Sequence, residues 1–152
     1  ITEDGTVVVR DDRDQDVNQL VEGRGIRILI AEDNRVNQLV VTNMIAGLGF
    51  DIDIAENGKV AVAKFQEERP DLIIMDVSMP EMDGVEATKA IRSYEREHSF
   101  GRVPIIAATA HAMEEDRKRC RDAGMDDYIA KPLRQDTILA KIRQWITDAA
   151  AA

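Results

Sequence analysis

The stretch Leu72-Ile73-Ile74-Met75-Asp76-Val77-Ser78-Met79-Pro80-Glu81-Met82-Asp83-Gly84 decides the architecture. Four consecutive apolar residues closed by a carboxylate describe a strand buried on both faces, with Asp76 emerging at its C-terminal end. Open α/β folds keep their chemistry at that edge. Three further segments end the same way: Glu32-Asp33 follows Ile28-Leu29-Ile30-Ala31, Thr109 follows Ile105-Ile106-Ala107-Ala108, and Lys131 follows Tyr128-Ile129-Ala130. One such residue carries little information, whereas four converging on one sheet edge make a site.

Outward from this strand the pattern alternates regularly. Residues 26–31 read as a buried strand. Asn34 can cap a helix bearing Val36, Leu39, Val40, Met44, Ile45 and Leu48 at helical spacing, with Gly47 and Gly49 stopping it. A short strand follows over 51–55, then a helix over 57–69 that ends before Pro70. Residues 85–97 form a helix with Val85, Ile91 and Tyr94 inward and Glu86, Lys89, Arg92, Glu95 and Arg96 outward. Strand 105–108, helix 113–123 closed by Gly124, strand 128–130 and helix 135–147 complete the order. The last helix carries Ile138, Ile142, Trp145 and Ile146 on its apolar stripe. Such alternation predicts an α/β fold with a doubly wound, five-stranded parallel sheet of order 2-1-3-4-5, the flavodoxin-like arrangement. That order seats the first and third strands side by side and makes Glu32-Asp33 neighbours of Asp76.

The 152-residue chain is long enough for one domain with a real core, assigned to 25–148. Residues 1–24, with seven acids against three bases, read as an acidic linker or N-terminal extension. The alanines at 149–152 read as a tail outside the domain, and both ends suggest a fragment of a longer protein. A net charge of −9 argues against nucleic-acid binding and against docking on anionic membranes. No apolar run approaches the ~18 residues of a spanning helix, and no signal peptide is visible. Cys120, the single cysteine, reads as a small apolar residue in a reducing, cytoplasmic compartment.

Crowded carboxylates repel one another, and a hard divalent cation relieves the repulsion. Mg²⁺ favours oxygen ligands, keeps several waters and takes one or two carboxylates. Asp33 and Asp76 are the natural direct ligands, with Glu32 direct or through water and the Ser78 backbone carbonyl as a further oxygen. A carboxylate beside a bound cation is suited to form an aspartyl-phosphate. Lys131 offers a point charge and Thr109 a hydroxyl to the phosphoryl oxygens, and Ala110 leaves the group room. Gly84 suits a tight loop-to-helix joint.

Glu32-Asp33, Asp76 followed by Met79-Pro80 and Asp83-Gly84, Thr109-Ala110 and Lys131-Pro132 together resemble the receiver domain of two-component response regulators, over residues 26–147. The run Ala31-Glu32-Asp33-Asn34-Arg35-Val36-Asn37-Gln38 is most similar to receivers attached to hybrid histidine kinases. The resemblance implies that Asp76 is the phosphoacceptor, that Glu32, Asp33 and Asp76 surround Mg²⁺, and that Thr109 and Lys131 contact the phosphoryl group. It implies a switch role for Thr109 and Tyr128, a Lys131-Pro132 bond that is often cis, and tuning of phosphoryl hydrolysis by Ser78 and His111. The implied partner is a histidine kinase or histidine phosphotransfer protein, presenting its histidine to the start of the Asn34 helix and the loop after Lys131.

Plainer roles exist for each residue. Asp76 could cap a turn, and Glu32-Asp33 could be an acidic pair favoured by a helix dipole. Lys131 could be a surface lysine, Thr109 a β-branched strand residue and Tyr128 ordinary packing. Their ordered combination favours the site. A metal-dependent phosphatase that passes through an aspartyl-phosphate is the rival enzyme reading, but it usually needs a second Asp where Ser78 stands. An inert receiver-like interaction module is the other alternative, opposed by the intact acceptor set.

Overall fold

The computed structural model describes residues 25–110 and 113–151, with side chains through residue 146. The acidic segment 1–24 and His111 lie outside the described residues. The strands are β1 (Arg27–Ala31), β2 (Asp51–Ala55), β3 (Leu72–Asp76), β4 (Ile105–Thr109) and β5 (Asp127–Ala130). Between and after them run α1 (Arg35–Ile45), α2 (Gly58–Glu68), α3 (Gly84–His98), α4 (Glu114–Ala123) and α5 (Gln135–Ala151). All pairings are parallel and the order is β2-β1-β3-β4-β5, as the alternation predicts.

Strand side chains alternate between two cores, which is why these segments are apolar throughout. Leu29, Ala31, Ile73, Met75, Ile105 and Ala107 pack with Phe65 of α2, Val85 and Ile91 of α3 and Cys120 of α4. Ile28, Ile30, Leu72, Ile74, Ile106 and Ile129 pack with Val41 and Ile45 of α1 and Ile138, Ile142 and Ile146 of α5. Each isoleucine so buried contributes roughly 1.5–3 kcal/mol. Cys120 is buried, and burial pushes its thiol pKa up, in keeping with a packing role. No helix among the described residues is long and apolar enough to cross a membrane.

Local chemistry sets the helix ends. Asn34 Oδ1 accepts from Asn37 N–H at the start of α1, and Asn57 Oδ1 accepts from Val60 N–H at the start of α2. Asp83 and Glu86 form a reciprocal capping box on α3. Three helix readings need correction. The last helix continues through Ala151, past the expected end at 147 and into the alanine run. Val36, Leu39 and Val40 of α1 do not face the core: their exposures are 66%, 59% and 42%.

The third correction concerns α3. Arg92 and Glu95 do not face solvent; each is 5% exposed. The Arg92 guanidinium donates to Glu95 Oε1 at 2.9 Å, Asp126 Oδ2 at 2.8 Å, Val103 O at 2.8 Å and Gly124 O at 2.8 and 2.9 Å. Glu95 Oε2 accepts from Val103 N–H at 2.7 Å, and Asp126 accepts from Ile105 N–H and from Arg102. A buried arginine is tolerable only when its donors and charge are met, as here. The network ties α3 to the segment before β4 and to the α4–β5 turn. Gly124, at φ 112°, is needed twice over: its backbone is left-handed, and a Cβ there would press on the Arg92 side chain.

Candidate functional site at the switch point

The two strands at the centre of the sheet, β1 and β3, pair with Ala31 opposite Met75, so the residues that follow them emerge together. Helices α1 and α3 leave in opposite directions from this point and open a crevice between them. Asp76 ends β3 at 3% exposure and Glu32 follows β1 at 3%, while Asp33 is exposed. Carboxylate oxygens from all three lie within 4.8 Å of one another.

The two buried carboxylates are held from behind. Glu32 Oε2 accepts from Asn34 N–H at 3.0 Å and from Asn37 Nδ2 at 3.5 Å, and the Glu32 carbonyl accepts from Gln38 Nε2 at 2.7 Å. Asp76 Oδ1 accepts from Ser78 N–H at 3.2 Å, which leaves Ser78 exposed at the rim. Lys131 Nζ donates to Asp76 Oδ2 at 3.0 Å and reaches Glu32 Oε1 at 3.5 Å. Burial, aided by the charge of Asp76, raises the Glu32 pKa above the ordinary carboxylate value despite the opposing Asn34 hydrogen bond and Lys131 charge. For Lys131 burial acts downward, but the hydrogen bond and charge of Asp76, followed by Glu32, outweigh it and raise its pKa.

The loop after Asp76 is folded back tightly. Gly84 N–H donates to Val77 O at 3.0 Å, and a Cβ at Gly84 would collide with the Asp76 carbonyl oxygen. The expected tight joint is therefore a close backbone approach. On the other flank, Thr109 ends β4 buried, and its carbonyl accepts from Lys131 N–H at 2.8 Å, fixing the lysine backbone. The Lys131-Pro132 bond is cis. Tyr128 on β5 is half-buried, with the Arg117 guanidinium 4.4 Å from its ring centroid.

The structure thus brings Glu32, Asp33, Asp76 and Lys131 together, with Ser78 and Thr109 on either side and Tyr128 on the neighbouring strand. The donor set suits a hard cation: three carboxylates at one point, two of them buried. Sequence reasoning missed the supports. Asn37 and Gln38 lie only five and six residues beyond Glu32, in the first turns of the helix that Asn34 caps, so the chain itself returns them to Glu32. Arg117 on Tyr128 and Arg119 on Asp83, at 3.3 Å, have no comparable signal, because their partners are distant in sequence.

A doubly wound five-stranded sheet with clustered acids at the first and third strand ends and a lysine after the last defines a receiver domain. The family profile of the response regulator receiver domain matches residues 28–143, and the chain belongs to that family. The sensor protein GacS of Pseudomonas syringae pv. syringae is 38% identical over 130 residues, 86% of this chain and 14% of that protein. Hybrid signal transduction histidine kinase I of Dictyostelium discoideum is 43% identical over 112 residues, 70% of this chain and 6% of that protein. The chain therefore spans a small part of these sensor kinases.

Among solved structures, the receiver domain of sensor histidine kinase PA1611 from Pseudomonas aeruginosa PAO1 is 41% identical with a TM-score of 0.73. The match covers 81% of this chain and 98% of that one, which holds a magnesium ion in its active-site cleft. The Saccharomyces cerevisiae complex of the histidine phosphotransfer protein Ypd1 with the receiver domain of Ssk1 matches with a TM-score of 0.75 and 32% identity. It covers 79% of this chain and 88% of that one.

Proposed function

We propose that Asp76 accepts a phosphoryl group from a phosphohistidine of a histidine kinase or histidine phosphotransfer protein, and that the modified domain signals through its surface. The observation that carries this reading is the convergence of Glu32, Asp33 and Asp76 with Lys131 at the β1–β3 switch point. An Asp76 carboxylate oxygen forms the new P–O bond as the P–N bond to the donor histidine breaks. The electron pair of that bond stays with the imidazole nitrogen, and Lys131 and the Thr109 hydroxyl face the charge on the transferred group. Ser78, where a phosphatase of this chemistry would carry a carboxylic acid, favours storage of the group over rapid turnover.

Glu32, Asp33, Asp76 and the Ser78 carbonyl are the residues that would hold Mg²⁺. When bound, the ion supplies positive charge that offsets the three carboxylates and the incoming phosphate oxygens. The magnesium-bound Pseudomonas aeruginosa receiver supports the choice of metal.

Val40, exposed on α1 like Val36 and Leu39, lines a cavity of about 520 Å³ together with Glu32, Asn37, Val41, Lys131, Pro132 and Leu133. An apolar rim beside a polar reaction centre suits a helical partner that brings its histidine to Asp76. The yeast phosphotransfer complex supports that class of partner. Thr109 and Tyr128 would couple the phosphoryl group to the face formed by α4, β5 and α5. The sensor-kinase relatives support a place for residues 25–148 inside a cytoplasmic portion of a hybrid histidine kinase, with 1–24 as the tether.

Titration with Mg²⁺ and then a beryllium fluoride phosphoryl mimic, followed by NMR, tests the reading. Shifts at Asp76, Thr109 and Tyr128 that vanish in Asp76→Asn are expected. Their absence from the wild-type protein would point to an inert interaction module.

A further inference from the structure

A second cleft, of about 350 Å³, opens beside the acidic cluster on the side away from Lys131. It is lined by Asp33, Val77, Ser78, Met79, Asp83 and Arg119. Asp33 belongs to the carboxylate triad, and Ser78 binds Asp76 through its N–H, so this cleft is a mouth of the site already described. Among the described residues that line it, Arg119 is the one cation.

Arg119 extends from α4, and one guanidinium nitrogen lies 3.3 Å from Asp83 Oδ2. The hold is loose: the arginine side chain is 54% exposed, and Asp83 Oδ1 is already committed to the Glu86 N–H. An exposed, long ion pair of this kind is worth little and is readily exchanged. By contrast Lys131 sits 3.0 Å from Asp76, at 22% exposure, with Glu32 as a second partner. The site thus has a fixed cation on one flank and an exchangeable one on the other.

An incoming phosphodonor is an anion and must pass the exposed Asp33, which repels it. From these facts we infer that Arg119 is a donor-binding residue: its guanidinium leaves Asp83 and takes the phosphate oxygens of the donor at the mouth of the cleft. Guanidinium groups match phosphate oxygens in pairs, which an ammonium group does not. Asp83 acts only as the resting counter-ion that Arg119 gives up when the donor arrives. This rests on Asp76 being the acceptor, and it concerns how the donor reaches that residue.

The test uses phosphoramidate as donor, at saturating Mg²⁺, with phosphorylation followed by intact mass. In the transfer the P–N bond of the donor breaks, ammonia leaves with that electron pair after protonation, and an Asp76 oxygen takes the phosphorus. Arg119→Gln should lower the second-order rate constant about three- to five-fold, with Arg119→Lys in between and the difference shrinking at high salt. Asp83→Asn keeps a good helix cap but frees Arg119, so it should not lower the rate constant. An ion pair that only braces α4 would make Arg119→Gln and Asp83→Asn fall together, and that outcome overturns the inference. So does a rate constant unchanged in Arg119→Gln. Wild-type protein that phosphoramidate leaves unmodified overturns the acceptor reading instead.

Discussion

Replacing Arg92 with methionine is the sharpest test of the packing. The substitution keeps an apolar stem beside Gly124 and removes a guanidinium that makes five hydrogen bonds. Four groups lose a donor: Glu95 at 5% exposure, Asp126, the Val103 carbonyl and the Gly124 carbonyl, which keeps Arg102. Breaking a buried ion pair by deleting one partner costs about 3–5 kcal/mol. The lower half of that range applies, because Glu95 keeps the Val103 N–H and Asp126 keeps Arg102 and the Ile105 N–H. A loss of about 3 kcal/mol is a large share of the roughly 5–15 kcal/mol that holds a domain together. At about 4 °C per kcal/mol it lowers the melting temperature by about 12 °C. Urea unfolding should show a lower midpoint with an unchanged slope. Adding Glu95→Gln to Arg92→Met removes the unpaired charge and should recover part of the loss. A cost below about 1 kcal/mol, the worth of an exposed arginine, would refute the buried network.

Three further outcomes follow from the same geometry. Gly84→Ala pushes a methyl group into the Asp76 carbonyl, so it should destabilise by about 1–3 kcal/mol and weaken Mg²⁺ binding, read by calorimetry. Lys131→Met leaves Glu32 and Asp76 without their cation, so metal-free protein should melt lower while Mg²⁺ restores more of the loss than it adds to the wild type. Asp127 is half-buried, and desolvation alone would raise its pKa, but hydrogen bonds from Lys141, Trp145 and the Tyr128 N–H lower it below 3.8. Its contribution is complete above that value and is lost as pH falls through the lowered native pKa. Asp127→Asn should flatten the acid limb of a stability–pH curve followed by Trp145 fluorescence.

How legible each feature was depended on whether its cause was local. Strand β3 could be read because a strand buried on both faces must be apolar along its length. The strand count then supplied the order that seats Glu32-Asp33 beside Asp76. The α1 and α2 caps were local as well, one Asn side chain closing each first turn. Arg92 and Glu95 were placed on the wrong face because charge on a helix ordinarily means solvent. Their partners at Val103, Gly124 and Asp126 become neighbours only after β4 and β5 join the sheet. Val36, Leu39 and Val40 failed for the opposite reason: apolar residues at helical spacing resemble a core stripe, yet here all three are exposed and Val40 lines the cleft beside Lys131.

Phosphotransfer onto Asp76 tests the central claim most directly. A histidine phosphotransfer protein carrying labelled phosphohistidine is mixed with the domain in Mg²⁺, and the label on each protein is followed with time. Transfer to the wild-type chain, abolished by Asp76→Asn and by chelation of the metal, is the predicted result. Equal labelling of Asp76→Asn would contradict the account.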